Sequence, residues 1–421
     1  MPHVVIYDTN EAGLGAIAAA KRLGHRVTFV DHVGARFYAD NEPNRRAVEA
    51  ADRVVRREWL TRPDVALEVL QAIHRDQPVD AALTTNELAV DPLARACATI
   101  GIPFTDSEAV ATARRKHLMR ARLAERGVRS ARFAAVDPDD DPTAAAGRLG
   151  YPVVVKPTSG SLSLLAGVAE SDADLLRLAG RMRDELSGLP ESWREQYGRA
   201  ILLEERLVGE LVSVEIGMCR GEAVRFMVSG RIRARHDETF ELGSVVPADL
   251  PEDRVRDCFA YAGTVLDALG LDLGIFHLEM ILTAAGPVLV EANPRIMGGP
   301  LPLLYNALCG RDIFEDLVSI HLGLTPAVPD RPRDRAVGGM LLVPAVDGVV
   351  RDGLDEASVR SRLAPGLEAL RLELPEAGRP VEAHRPIGRV WLAGRTPAAV
   401  AAGTRRIVEQ VASEGGLRLY E

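Results

Sequence analysis

The chain of 421 residues is 47% hydrophobic and 26% charged, the balance of a globular protein with about two to four domains and enough core to enclose a cleft. Its net charge of −9 includes no long basic run, which argues against a nucleic-acid groove or a polybasic membrane patch, and no apolar stretch approaches the length of a bilayer span. Cys97, Cys219, Cys258 and Cys309 are scattered without a Cys-x-x-Cys, so neither a disulfide framework nor a zinc site is expected.

The first element is a strand, VVIYD at 4–8, with no charged and apolar leader before it, so a cytoplasmic location is expected. A Gly13-x-Gly15 turn, an Ala-rich helix ended by Gly24 and VTFVD at 27–31 complete a β-α-β unit. Gly13-x-Gly15-x-x-Ala18 followed by Asp31 approaches a dinucleotide fingerprint, which makes an NAD(P)-binding oxidoreductase an alternative reading. Against it, the glycines come five residues after Asp8, later than the tight first turn requires. Further strands and helices, including DAALTTNELAV at 80–90, run to Ile102-Pro103-Phe104, with a boundary at Thr105 to Glu108. A helix carrying Lys116, Leu118, Met119 and Leu123 precedes YPVVVKP at 151–157, a buried strand ending in Lys156. ILLEERL at 201–207 and SVEIGM at 213–218 read as strands, and 252–269 and 311–322 as helices. A Pro- and Asp-rich linker at 326–335 then leads to Gly338-Gly339, the strand MLLVPA and a closing helix near 396–414.

Of the 51 basic residues only Lys21, Lys116 and Lys156 are lysine. A compact ammonium on a flexible stem fits a crowded phosphate pocket where the wide planar guanidinium does not, which singles out Lys116 and Lys156. Arg231, Arg233 and Arg235 alternate on one strand face and read as a solvated stripe, one of which could clamp a terminal phosphate.

Residues 277–295, HLEMILTAAGPVLVEANPR, carry the most information. They read as two apolar strands with period-two alternation, joined through Ala284-Ala285-Gly286-Pro287. A hairpin centred on Ala285 sets Glu279 opposite Glu291 and His277 opposite Asn293, with Glu279, Glu291, Asn293 and Arg295 on one face. Like charges directly opposite destabilise a ladder, so a cation is expected between them. Two carboxylates and an amide oxygen are hard ligands of the kind magnesium takes alongside phosphates, and Arg295 then has an anion to hold.

His-x-Glu, eleven residues, then Glu-x-Asn-Pro-Arg resembles the metal-binding end of the ATP-grasp superfamily. The resemblance implies an α/β fold with a Rossmann-like N-terminal domain over 1–105, a central ATP-grasp domain over 106–325 with a lid subdomain at about 128–204, and a small C-terminal α/β domain over 326–421. It implies ATP and Mg2+, with Mn2+ as a substitute, the metal being held by Glu279, Glu291 and Asn293. Lys116 and Lys156 match the lysines that grip ATP phosphates, and TSGSLSLLAGV at 158–168 matches the loop that folds over them, with Ser161 and Ser163 as candidate contacts. LLEERLVGE at 202–210 matches the hinge, where Glu204 and the backbone of Arg206 and Leu207 face the base and Glu210 takes the ribose.

FELGSVVPADLP at 240–251 is similar to the Glu-x-Gly-His-x-x-Pro-Ala segment of the L-amino-acid ligase group, which makes Glu241 and Ser244 substrate residues. Ser244 stands where those relatives often carry histidine, which points to a different substrate. Asn86-Glu87 resembles an Asp-Glu of the same group whose acid pairs with a substrate amino group, and Ile296-Met297-Gly298-Gly299 resembles its glycine loop for a substrate carboxylate. The implied activity is ATP-dependent ligation of a carboxylic acid to an amine through an acyl phosphate, with Arg295, Gly298 and Gly299 stabilising that intermediate. The expected partners are small molecules, with neither nucleic acid nor membrane, and a homodimer is the habit of the family. An ATP-grasp carboxylase or purine-pathway enzyme is the alternative within the superfamily, although the Gln-Val-Glu-His-like continuation common in those enzymes is absent.

Overall fold

The β-α-β opening lies inside a four-stranded parallel sheet in the order 53–57, 26–32, 3–7, 81–83. The computed structural model describes all residues except 138, 160–164, 189–199, 236, 329–331 and 333, and the side chains of 237–239. His3–Tyr7 is wholly buried, because helices cover both faces of a parallel sheet. Its two marker glycines serve packing. A Cβ on Gly13 would stand 2.0 Å from Thr85 Oγ1 and 2.1 Å from Thr9 Oγ1, and one on Gly15 would stand 2.9 Å from the Phe314 ring. Asp31, the acid a ribose would need, is already engaged by Arg36 Nε at 2.9 Å and the Tyr38 hydroxyl at 2.6 Å. The dinucleotide reading therefore loses the features that suggested it. In the 80–90 segment only Ala81–Leu83 is strand, and Thr84 and Asn86 turn back to bond Asp8.

A second sheet is antiparallel, in the order Phe133–Val136, Ile201–Glu205, Val153–Pro157, Gly167–Ala169, with the helix Asp172–Gly188 packed through Leu175, Leu178 and Met182. Lys156 sits near the end of one of these strands.

The largest sheet has eight strands, in the order Gly286–Asn293, Gly274–Thr283, Glu210–Cys219, Glu222–Ala234, Asp237–Val246, Ala336–Leu342, Gly388–Gly394, Glu368–Glu373. The C-terminal region, expected as an α/β unit of its own, thus adds its strands to the central sheet. The strand expected around MLLVPA begins earlier, at Ala336. Glycine makes the seam possible. A Cβ on Gly243 would lie 2.0 Å from the Gly339 carbonyl oxygen, and one on Gly339 would lie 2.6 Å from Trp391 Cδ1. The helix Glu252–Leu269 covers the end of the sheet that carries the hairpin, and Pro397–Gly415 covers the other end through Val400, Ile407 and Val411. Among the described residues no helix is long and apolar enough to cross a membrane.

Replacing Gly243 by Ala should loosen this seam, lowering stability to denaturant by about 1–3 kcal/mol through overpacking against backbone. Gly230→Ala, whose nearest new contact is 3.7 Å away, is the control and should cost less.

Candidate active site

The hairpin strands Gly274–Thr283 and Gly286–Asn293 meet at a tight Ala284-Ala285 turn, and Gly286, at φ +108°, and Pro287 belong to the returning strand. An edge strand tolerates the missing proline N–H. A straight ladder from this turn would face Glu279 with Val290. A bulge between Glu279 and Met280 absorbs Val290 as an extra residue, so Glu279 pairs with Glu291 and His277 with Asn293. On the other side, Glu210–Cys219 places Ser213 beside Glu279 and Glu215 beside His277. Three neighbouring strands therefore bring Glu215, His277, Asn293, Glu279 and Glu291 together.

Cations surround this acidic patch. Lys116 Nζ lies 3.0 Å from Glu291 Oε1, and Arg231 Nη2 lies 2.9 Å from Glu279 Oε1. Arg231 Nη1 donates to Glu241 at 2.5 Å and to Ser244 Oγ at 3.2 Å. Of the three arginines read as a solvated stripe, Arg231 has its side chain covered in the site and Arg235 is exposed beside Glu409 and Glu421. Burial alone would favour a neutral His277. Glu215, 2.6 Å from Nδ1, and Glu279 outweigh burial and the opposing Arg231, and the imidazole is pushed up to about 9. Burial would also raise the Glu279 carboxyl, but Arg231 and His277 hold it far below the usual range. Glu241 goes the other way: burial and the Glu279 charge raise it despite Arg231.

Lys156 is anchored separately, with Nζ 2.7 Å from Glu204 Oε2. The other oxygen of Glu204 accepts from Arg120 Nε at 2.9 Å, so this carboxylate, expected beside a base, has both oxygens engaged by cations. They overcome the burial that would raise it and hold it down at about 2. Arg206 and Leu207 occupy the connection between Ile201–Glu205 and Glu210–Cys219, and Arg206 reaches Glu170 at 3.8 Å. Gly209 in that connection, at φ +155°, passes so close to the hairpin that a Cβ would lie 2.2 Å from the Leu282 carbonyl oxygen. Glu210 opens the next strand, opposite Leu282, with its carboxyl raised by partial burial and Asp249. Ser161 and Ser163 lie outside the described residues.

Arg295 follows the hairpin, its Nε 2.5 Å from Glu87 Oε2, and Arg114 Nε is 3.3 Å from the other Glu87 oxygen. Glu87, expected at a substrate amine, thus bridges two arginines, which hold its carboxyl low against burial. Gly298 lies under the Arg295 guanidinium, at 3.5 Å from a Cβ placed there, and Gly299 takes the left-handed φ of +56°. Arg120 and Arg114 gave no sequence signal as site residues. For Arg120 the one available clue was its position four residues after Lys116, on the same helix face.

Among the described residues no three His, Cys, Asp or Glu side chains converge as a ready-made metal cage. A magnesium ion that arrives with nucleotide needs only one or two protein carboxylates, its remaining oxygens coming from phosphate and water. The hard oxygens of Glu279, Glu291 and Asn293, on paired positions of adjacent strands, fit that requirement.

A model of the ATP-grasp domain matches residues 149–301, and one of the ATP-grasp N-terminal domain matches 17–104. The chain belongs to the ATP-grasp superfamily. Carnosine synthase 1 of Gallus gallus is 29% identical over 404 residues, covering 90% of this chain and 41% of its own length. The alanine–anticapsin ligase of Bacillus amyloliquefaciens is 28% identical over 266 residues, 58% of this chain and 54% of its own. The chain thus spans about half or less of the length of these relatives. The crystal structure of an L-amino acid ligase from Bacillus licheniformis superposes with a TM-score of 0.77 at 18% identity, covering 100% of this chain and 99% of that one, and so shares the ATP-grasp fold.

Glu204→Gln should leave Arg120 and Lys156 without their counter-charge and destabilise the protein by about 3–5 kcal/mol at neutral pH. Because its folded value is depressed, the contribution of Glu204 is complete above about 4.5 and is lost as pH falls toward about 2. Denaturant unfolding from pH 7 to pH 3 should show the gap between wild type and variant narrowing in acid; a constant gap would mean that Glu204 is not charged in the fold.

Proposed function

We propose that the protein is an ATP-dependent ligase that joins a carboxylic acid, of the amino-acid class, to an amine through an acyl phosphate, releasing ADP and phosphate. The observation that carries this reading is the facing pair Glu279 and Glu291, with Asn293 beside them and Lys116 and Arg295 at the same end of the hairpin. The relatives named as a ligase and a synthase support it.

Glu279, Glu291 and Asn293 would hold a divalent cation, which would supply charge neutralisation for the nucleotide phosphates. Lys116 and Lys156 bind the remaining phosphate oxygens, exchanging their present carboxylate partners for the nucleotide. Residues 206–210 receive the adenosine, with Glu210 near the ribose. The substrate carboxylate attacks the γ-phosphorus, the bond to the β-phosphate oxygen breaks, and ADP leaves. Arg295, kept in place by Glu87, and the amides of Gly298 and Gly299 stabilise the charge on the acyl phosphate. The amine then attacks the acyl carbon and displaces phosphate. Ser244, with Arg231 donating to it, lines the acid site with a small hydroxyl where the L-amino-acid ligase group often has an imidazole, so a bulkier or differently charged acid is accommodated.

Phosphate release from Mg-ATP should require one particular acid and amine together, give ADP and not AMP, and fall on the order of 100-fold or more in Glu291→Ala. AMP and pyrophosphate as products would reject the acyl-phosphate route.

A further inference from the structure

Arg120 is fully buried and its guanidinium makes three directed bonds. Nε donates to Glu204 Oε1 at 2.9 Å, Nη1 to the Leu289 carbonyl at 2.6 Å and Nη2 to the Val290 carbonyl at 3.1 Å. Leu289 and Val290 are the residues on which the hairpin shifts register. They lie on the outer strand of the sheet, where an isolated bridge between Ser130 and Leu289 stands in place of a further strand, and a bulge disrupts the ladder locally. A Tyr261 hydroxyl accepts from the Leu289 N–H at 2.9 Å on the same edge. The planar fork spreads its donors over three nitrogens, one for the carboxylate and one for each carbonyl, whereas the three N–H groups of an ammonium radiate from a single nitrogen.

We propose that Arg120 is a positioning residue: its fork holds the Val290 bulge in the register that turns Glu291 toward Glu279, and its bond to Glu204 ties that register to Lys156. Without the bulge, the ladder that starts at the turn sets Val290 opposite Glu279 and sends the Glu291 side chain to the other face of the sheet. Lys116 and Arg120 are one helical turn apart, so a single helix presents one cation to Glu291 itself and another to the backbone that aims it. The inference rests on the proposed role of Glu291 in holding the nucleotide's cation.

The test uses Arg120→Lys, which keeps the charge facing Glu204 and loses the fork, alongside Arg120→Met, which loses both. For each, the Mg2+ concentration giving half-maximal ATP cleavage, kcat and the KM of the carboxylic acid are measured, with thermal unfolding as a check on the fold. Arg120→Lys is expected to fold, to need about tenfold more Mg2+ or higher, and to lose kcat at saturating ATP, while the KM of the acid changes by less than about threefold. A folded Arg120→Lys with the wild-type Mg2+ requirement overturns the proposal, whatever Arg120→Met does. Failure of both variants to fold overturns it as well, since the residue would then be structural. Absence of any divalent-cation dependence in the wild type would instead sink the reading of Glu291, and is seen before any variant is made.

Discussion

Two carboxylates held face to face on neighbouring strands create the constraint around which the rest of the molecule is arranged. Glu279 and Glu291 are paired by the ladder itself, and like charges in that position repel. The protein answers with cations on separate elements: Lys116 from a helix, and Arg231 from a strand two places along the sheet. Each has its side chain largely buried, so the patch is a network of mutually compensating charges, in which removing a single member leaves its partner stranded in a poor solvent. Such a network has an evident use. On the proposed function, it holds both side chains in place until a metal–nucleotide complex brings charge of its own.

The same logic extends outward in layers. Glu204 neutralises Lys156 and Arg120, while Glu87 neutralises Arg295 and Arg114. Lys116 and Lys156 rest on carboxylates, which in the proposed reaction phosphate oxygens replace, whereas Arg120 and Arg295 are also held by carbonyls of Leu289, Val290 and Ile296. Exchangeable point charges and fixed forks are thus divided between the two residue types, as their geometries dictate.

Much of this was legible in the sequence, and partly through compensating differences. Centring the hairpin on Ala285 gave the pairing of Glu279 with Glu291. The actual turn lies at Ala284-Ala285, half a position earlier, and the Val290 bulge restores the register. A bulge leaves no periodic signature in a run as uniformly apolar as Val288, Leu289 and Val290. The rarity of lysine singled out Lys116 and Lys156, whereas Arg120 was hidden by the abundance of arginine and Arg231 was noticed only as one of three alternating arginines. The continuation of the central sheet into Ala336–Leu342 depends on a pairing between strands about 90 residues apart, which local pattern does not encode. Gly243, Gly338 and Gly339 hinted at it, because close strand contact is what glycine inside a strand permits. The Gly13 and Gly15 pair shows the reverse case: a motif-like spacing whose cause is the packing of Thr9, Thr85 and Phe314.

The central claim, that the facing pair is the seat of a nucleotide-bound cation, is tested most directly by paramagnetic resonance of Mn2+ titrated into the protein with and without a non-hydrolysable ATP analogue. The account predicts tight Mn2+ binding only when nucleotide is present, lost in Glu279→Gln and in Glu291→Gln while both variants stay folded. Nucleotide-dependent Mn2+ binding that survives both substitutions unchanged would contradict it.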